Sequence, residues 1–315
     1  MNKININELL GVKYPIIMAP MFLVNNTKMM VSALNSGIAA CIPALNYRTD
    51  ELFREAIQEI RDNTNSTGLG INLIVNKSNI KMQQQLKTCV ELGVDFIITS
   101  LGSPKQVIEA CKPIGIKVFC DVVEEKYAKK VEKLGADAVI AVNCNAGGHA
   151  GKLTPEEIIP LLNKHCSIPV ISAGGVGTKE GIDNVMNLGA AGISIGSPFI
   201  ACEEAHISNE YKQACVDYGK EDIVFTTKIS GTPCTVINTP YVKETGTEQN
   251  WLEKLMSKNK KIKKWVKIIT YFKGMKSVEK AAFSSTYKTV WCAGPSIEYT
   301  KEILPIKEII KRLTT

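Results

Sequence analysis

The sequence predicts an α/β protein whose eight parallel strands close into a (β/α)8 TIM barrel, with a mostly helical insertion or cap in the C-terminal third. Eight short segments are almost continuously apolar, as in strands that helices cover. Helical patterns separate seven of these segments up to about residue 200, and eight strands close this type of barrel. An open doubly wound sheet is the structural alternative, but it would place a glycine-rich loop after the first strand, where this chain has Pro20-Met-Phe22.

Apolar runs and the residues that start or stop helices define the predicted elements. The predicted strands are 15–19, 37–42, 68–74, 94–99, 116–121, 136–143, 168–173 and 191–196. The predicted helices among the first six strands are 28–36, 49–62, 81–92, 104–112 and 124–134. Gly93 and Gly135 follow two of these helices and are suited to the C-cap. A further helix is expected after the sixth strand, because Thr154 can cap it and Pro155 suits its first position.

The alternation of strands and helices ends after Ser197. Residues 203–290 are rich in lysine and threonine and show no regular pattern, so we expect a mostly helical insertion that covers the active site. The barrel domain would then comprise residues 1–202 and 291–315. Within it, residues 303–313 are amphipathic and are expected to form the helix that closes the barrel.

The composition favours a globular, cytoplasmic protein. The chain is 45% apolar and 22% charged, which is typical of globular domains. No apolar run approaches the ~20 residues that cross a bilayer, and the N-terminal residues lack the apolar core of a signal peptide. The ten cysteines form no Cys-x-x-Cys pair and no cluster at zinc spacing. We therefore expect reduced thiols and no metal site.

One glycine-rich stretch, residues 142–152, follows the sixth predicted strand and contains His149. Glycines have no Cβ, so the backbone there can approach a ligand closely. Barrels of this kind bind their ligands at the carboxyl ends of the strands. His149 is therefore the candidate catalytic residue, and a turn with an incidental histidine is the alternative interpretation.

The ends of the last two strands predict a phosphate site. Gly174 and Gly175 follow the seventh strand, and Gly196 and Ser197 follow the eighth. Loops at these two positions bind phosphate in many barrels, because backbone N–H groups and a helix N-terminus attract an anion; ordinary barrel-end turns are the alternative. The full set of candidate cofactor-binding residues at the strand ends is Ala19, Pro20, Met21, Asn72, Asp121, Asn143, Gly147, Gly148, Ala173, Gly174, Gly175, Gly196 and Ser197.

Other chemistries lack their motifs in this sequence. The strand ends carry no paired carboxylates, no nucleophile elbow and no Walker loop. A phosphate site beside neutral polar residues and one histidine indicates a bound cofactor that carries out the chemistry.

Several motifs occur in a characteristic order along the chain. They are Pro15-Ile-Ile-Met-Ala-Pro-Met21, Gly70-Ile-Asn72, Ala146-Gly-Gly-His-Ala-Gly151, Ile168-Pro-Val-Ile-Ser-Ala-Gly-Gly-Val176 and Gly192-Ile-Ser-Ile-Gly-Ser-Pro-Phe199. On these motifs the chain resembles the nitronate monooxygenase family, once called 2-nitropropane dioxygenases, which includes the FMN-dependent enoyl-acyl-carrier-protein reductases.

The resemblance implies that FMN binds at the open end of the barrel. Met21 and its neighbours would pack on the flavin ring, and Asn72 would form a hydrogen bond with it. The glycines after the last two strands, with Ser197, would hold the phosphate. His149 would lie over the reactive face, either as a neutral base or as an imidazolium that stabilises a substrate anion.

The activity favoured by the resemblance is the oxidation of alkyl nitronates with O2 to carbonyl compounds and nitrite. One alternative is an enoyl-thioester reductase that uses NADH or NADPH, and another is a flavin-binding module without catalysis. Two departures from the family pattern bear on the substrate. Cys144 or Asn145 stands where many relatives have an acidic residue, and the C-terminal run is Ala293-Gly-Pro-Ser296.

Part of the net charge of +7 comes from nine lysines between Lys254 and Lys276, interleaved with Trp265, Tyr271 and Phe272. A solvated helix face is the simplest interpretation. The functional interpretation is a docking patch for an acidic acyl carrier protein or for a phosphorylated thioester such as coenzyme A. A nucleic-acid surface is disfavoured because no binding fold accompanies the lysines. We expect no nucleic-acid or membrane partner, and a homodimer stays open.

Overall fold

A computed structural model describes residues 4–228, 233–248 and 290–315. Eight parallel strands pair in sequence order, and the eighth pairs with the first to close a barrel. The strands are β1 (Ile16–Met18), β2 (Ala39–Pro43), β3 (Leu69–Ile74), β4 (Phe96–Ser100), β5 (Lys117–Val122), β6 (Ala138–Val142), β7 (Val170–Ala173) and β8 (Gly192–Ile195). The predicted TIM barrel is therefore confirmed, and each predicted strand is present in its predicted place.

Helices cover the outside of the barrel between successive strands. They are α2 (Thr27–Asn35), α3 (Asp50–Asp62), α4 (Met82–Glu91), α5 (Lys105–Cys111), α6 (Glu125–Leu134), α7 (Pro155–His165) and α8 (Lys179–Asn187). A preceding helix, α1 (Ile6–Leu10), lies before the first strand. Thr154 does cap α7: its backbone N–H donates to the Glu157 carboxylate at 2.8 Å.

Large side chains fill the lower part of the barrel interior. The rings of Phe96 and Phe119 lie 5.1 Å apart, and Ile6 of α1 enters from the amino ends of the strands, where its N–H bonds to the Ala191 carbonyl. A Cβ at Gly70 would lie 2.2 Å from the Phe96 ring, and one at Gly192 would lie 2.2 Å from Ile6. Because these two strand positions are glycines, the Phe96 ring and Ile6 fit inside the barrel. The lower part of the interior is therefore filled, and the open space lies at the carboxyl ends of the strands.

The chain after β8 departs from simple alternation. Its described part contains α9 (Asn209–Asp217), an antiparallel pair formed by β9 (Ile223–Thr226) and β10 (Cys234–Ile237), and α10 (Pro240–Thr245). The small sheet was not expected in a mostly helical segment. The lysine-rich stretch from Lys254 to Lys276 lies outside the described residues, so the division into a barrel and a 203–290 insertion stays a prediction.

The last helix, α11 (Ile306–Thr314), closes the barrel as expected. It packs against α2 and α8 and so occupies the position of the eighth outer helix. It starts later than its amphipathic pattern suggested because Pro305 precedes it and Leu304 pairs with Cys202 instead. Within the described ranges, no helix is long and apolar enough to cross a membrane.

Candidate active site

The open end of the barrel forms one cavity of about 1120 Å³. Because side chains alternate along a strand, one inward-facing position at or near the carboxyl end of each strand contributes to the floor of this cavity. These positions are Ala19, Pro43, Asn72, Ser100, Asp121, Val142, Ala173 and Gly196, and all eight line the cavity. The floor is therefore polar on β3, β4 and β5 and small or apolar on the other five strands.

The polar side of the floor is a chain of hydrogen bonds across three strands. The Asn72 amide donates to Ser100 Oγ at 2.8 Å and to the Ile98 carbonyl at 3.1 Å. Ser100 Oγ in turn donates to Asp121 Oδ2 at 2.5 Å. Burial raises the pKa of Asp121 to about 6, and the bond from Ser100 only partly opposes that shift. This carboxyl can therefore change its protonation state near neutral pH.

The opposite side, at the ends of β7 and β8, is a backbone cradle. In the described part of the chain, no acceptor is bonded to the N–H groups of Gly174, Gly175, Gly196 and Ser197. Gly174 has φ +117°, and a Cβ there would lie 2.4 Å from Asn143 Oδ1. Since β7 and β8 are adjacent in the barrel, their loops offer neighbouring backbone donors that suit an anion such as a phosphate.

The loop that carries His149 is held on two sides. The N–H of Gly148 donates to Thr235 Oγ1 at 2.8 Å, and the N–H of Thr235 donates to the Gly148 carbonyl at 2.8 Å. On the other side, the Asn143 side chain accepts from the Asn145 N–H at 2.8 Å and donates to the Gly174 carbonyl at 3.1 Å. The loop is thereby tied both to the small sheet and to the phosphate-site loop.

His149 lines the cavity at the end of this loop. Its side chain has accessible surface toward the open space of the cavity, yet the surrounding walls desolvate it and lower the pKa of the imidazole below its usual value. A lowered histidine pKa favours the neutral ring at pH 7. A neutral imidazole can accept a proton or donate a hydrogen bond there.

A model of the nitronate monooxygenase family matches residues 74–315 of this chain. The chain belongs to the nitronate monooxygenase family. Its membership makes it a flavin-dependent oxidoreductase that acts on a small-molecule substrate.

Proteins that are similar to this chain differ in their named activities. The chain is 29% identical over 280 residues to a probable nitronate monooxygenase of Staphylococcus saprophyticus, covering 75% of this chain and 79% of that protein. It is 27% identical over 237 residues to a (3aS,4S,5R,7aS)-5-hydroxy-7a-methyl-1-oxo-octahydro-1H-indene-4-carboxyl-CoA dehydrogenase of Rhodococcus jostii, covering 75% of this chain and 66% of the dehydrogenase. The chain thus spans about two thirds of that relative's length.

Among solved structures, FabK from Thermotoga maritima superposes on this chain with a TM-score of 0.84. The two are 26% identical, and the match covers 98% of this chain and 94% of FabK. The whole described architecture is therefore shared with this neighbour.

The structure brings nearly all the predicted site residues of this family member together. His149 and twelve of the thirteen candidate cofactor-binding residues line the cavity. Asn143 is the exception: it is fully buried, does not line the cavity, and uses its side chain to hold the loop between β6 and α7. Both ends of the Asn143 amide bond the protein, so Asn143 positions the loop, and its contact with the cofactor stays a prediction.

Sequence reasoning missed three kinds of residue around the cavity. Ser100 ends the fourth strand and could have been found by the strand-end rule that found Asp121. Thr235 had no such signal, since no strand was expected in its segment. The cavity rim was missed as well; it contains the exposed apolar side chains of Leu101, Tyr127 and Phe225 and the lysines Lys130 and Lys152.

Proposed function

We propose that this protein binds FMN and oxidises alkyl nitronates with O2 to carbonyl compounds and nitrite. The observation that carries the proposal is the cradle of four backbone N–H groups at Gly174, Gly175, Gly196 and Ser197. In the described ranges they bond no acceptor, and their residues line the same cavity as His149. The family match and the name of the Staphylococcus relative support the choice of reaction.

The residues around the cavity fit an FMN-sized group. The cavity of about 1120 Å³ exceeds the ~300–1,000 Å³ of a typical pocket for one small ligand, which leaves space for a substrate beside the cofactor. Gly196 would leave no side chain in the cradle. Asn72 and Asp121 would present polar groups to the cofactor, and the loop from Ala19 to Met21 would present backbone. Bound FMN would supply the electron transfer.

His149 would act on the substrate. Its lowered pKa leaves the imidazole neutral at pH 7, so we assign it the role of proton acceptor or hydrogen-bond partner rather than of a fixed cation. The hydrogen bond between Gly148 and Thr235 would keep His149 in place, because Gly148 directly precedes His149 and Thr235 belongs to the small sheet. On this proposal the segment 203–290 covers the site, since Phe225 and Cys234 of its described part line the cavity.

A second candidate, an NAD(P)H-dependent enoyl-thioester reductase, is favoured by the rim of the cavity. Leu101, Tyr127 and Phe225 are 46%, 49% and 51% exposed, and Lys130 and Lys152 stand beside them. An apolar entrance with cationic groups suits a long acyl chain on a phosphorylated carrier, either coenzyme A or an acyl carrier protein. The name of the Rhodococcus relative, a carboxyl-CoA dehydrogenase, and the likeness to FabK are both compatible with an enzyme that acts on thioesters.

Anaerobic mixing separates these functions. The oxidised flavoprotein is mixed separately with propionate 3-nitronate, NADH and NADPH while the flavin absorbance is recorded. We expect rapid bleaching with the nitronate alone. Bleaching with NADH or NADPH alone would instead identify a reductase, and bound flavin that none of the three reduces would favour a non-catalytic flavin-binding module. The same preparation, run on a sizing column with light scattering, tests for a homodimer.

A further inference from the structure

Two cysteines that the proposed reaction does not use lie together in the wall of the cavity. Cys234 begins β10, and Cys292 belongs to the segment that returns to the barrel before α11. Both line the cavity, and Cys292 packs against the small apolar cluster that contains Cys234 and Val236. The Cys234 thiol donates to the Thr226 carbonyl at 3.5 Å, and the two thiols influence each other's pKa. Among the described residues, one further cysteine lines the cavity. It is Cys120, whose sulfur accepts a hydrogen bond from Thr99 Oγ1.

We propose that Cys234 and Cys292 form a peroxide-reactive dithiol, which a hydroperoxide oxidises to a disulfide inside the substrate cavity. The backbone around the pair favours this bond. The N–H of Ile237 donates to the Trp291 carbonyl at 2.9 Å, so β10 and the returning segment lie side by side. Tyr211 fixes that segment, because its hydroxyl donates to the Cys292 carbonyl at 2.6 Å and its ring stacks on Trp291 at 5.4 Å.

The two thiols have unequal roles. The hydrogen bond from Cys292 lowers the pKa of the Cys234 thiol, while the same contact and burial raise that of Cys292. On this proposal Cys234 releases its thiol hydrogen bond to the Thr226 carbonyl and reacts as the thiolate, which is the nucleophile in this chemistry. Cys292 would resolve the product, since it packs against the same small cluster as Cys234.

The reaction proceeds in two steps. The Cys234 thiolate attacks one peroxide oxygen, the O–O bond breaks, and the released oxygen takes a proton to leave as water or an alcohol. The Cys234 sulfenic acid then reacts with the Cys292 thiol, which forms the S–S bond and releases a second water. Overall, two thiols lose two electrons and two protons, and one hydroperoxide is reduced. Disulfide formation brings the two sulfurs to about 2.05 Å.

This disulfide would act on the His149 loop from both sides. Thr235, which bonds Gly148, is the neighbour of Cys234. Gly294 is two residues beyond Cys292; its N–H donates to Ser197 Oγ at 2.8 Å, and its backbone N would lie 3.0 Å from a Cβ at Gly147. Pulling the two sulfurs together therefore shifts both supports of the loop. We expect oxidation to lower turnover reversibly, with recovery in dithiothreitol.

The test uses the FMN-containing full-length protein, treated with hydrogen peroxide at a small molar excess, alkylated, digested and analysed by mass spectrometry. We expect a cross-linked peptide pair that contains Cys234 and Cys292 and is lighter by two hydrogens. In Cys292→Ser, Cys234 should stop at the sulfenic acid, which a 1,3-diketone probe traps. Cys144→Ser is the control matched to Cys292→Ser, since Cys144 and Cys292 are both half-buried, and it should still form the cross-link.

Three results would overturn the proposal. The first is alkylation of both Cys234 and Cys292 after peroxide treatment that oxidises Cys144. The second is trapping of the sulfenic acid on Cys292 in Cys234→Ser, which would reverse the assigned roles. The third is an equal, dithiothreitol-reversible loss of turnover in wild type and in Cys234→Ser. That result would show that the loss does not come from a Cys234–Cys292 disulfide. Activity is followed with whichever substrate bleaches the flavin, so the result does not depend on the nitronate.

Discussion

Thr235 Oγ1 accepts a hydrogen bond from the N–H of Gly148 at 2.8 Å and donates to the Ala146 carbonyl at 3.1 Å. Thr235 is 1% exposed and lies 87 residues further along the chain than Gly148. A side chain of the small β9–β10 sheet thus sets the conformation of the loop that presents His149. Through this contact the sheet directly supports the His149 loop of the candidate site.

Thr235→Val should lower turnover without loss of FMN. Valine keeps the shape of threonine but leaves the Gly148 N–H without its side-chain acceptor, and such an unsatisfied buried group costs about 1–3 kcal/mol. We expect kcat to fall about tenfold, measured at equal flavin content. Thr226→Val is the control, because Thr226 is similarly buried and its hydroxyl bonds Thr247 instead. Equal kcat values in the two variants would remove Thr235 from the support of His149.

Gly196→Ala should weaken FMN binding while the empty protein stays folded. A Cβ at Gly196 would be 3.6 Å from Ala19 and 3.7 Å from Met21, which is ordinary contact, but it would occupy the cradle. Overpacking of a fitted site costs about 1–3 kcal/mol, so we expect the FMN dissociation constant to rise at least tenfold. Fluorescence quenching of added FMN measures the constant. Gly219→Ala, at an open position with nothing within 4 Å, should match wild type.

Asp121→Asn should stabilise the flavin-free protein, and the gain should depend on pH. The folded pKa of about 6 lies above the ~3.9 of an unfolded chain, so the wild type loses stability as the pH rises from about 4 to 6. Asparagine avoids this loss and can still accept from Ser100. We expect the free energy of unfolding to increase by about 2–3 kcal/mol at pH 7 and by little at pH 4. Urea titrations at the two pH values measure the gain in unfolding free energy. Equal gains at pH 4 and pH 7 would contradict the raised pKa of Asp121.

His149→Ala should retain FMN and lose roughly 10²-fold in turnover, as expected for the loss of a positioned acid–base group. In the wild type, kcat/KM should rise with pH through a pKa below the usual value for histidine and then level off, since the neutral imidazole is the active form. His206→Ala is the control, because His206 is exposed and outside the cavity. A rate that falls over the same pH range would indicate that the imidazolium is active.

Much of the barrel was accessible from the sequence because its signals are local. Each strand is an apolar run a few residues long, and the glycines after β7 and β8 are visible as letters. The cavity floor followed from the same logic, since residues such as Asn72 and Asp121 end their strands. Ser100 shows where this reasoning fell short. It lies at the carboxyl end of its strand, as the rule requires, but the predicted strand stopped one residue before it.

The contacts that organise the active site were not accessible in this way. Asn143 ends a strand like the others, yet the loop turns so that its amide bonds Asn145 and Gly174 instead of facing the cavity. Nothing in the sequence near Thr235 or Cys234 predicts that they approach Gly148 or Cys292. Such pairs are separated by tens of residues, and only the packing of the whole chain brings them together.

The sequence by itself therefore determined the class of fold, the family and the position of His149 in the loop after the sixth strand, because periodicity, glycine placement and motif order depend on neighbouring residues. The tertiary structure alone decided which groups are free to bind a ligand and which hold the framework. It also decided the shifted pKa values of Asp121 and His149, since desolvation depends on atoms supplied by distant parts of the chain.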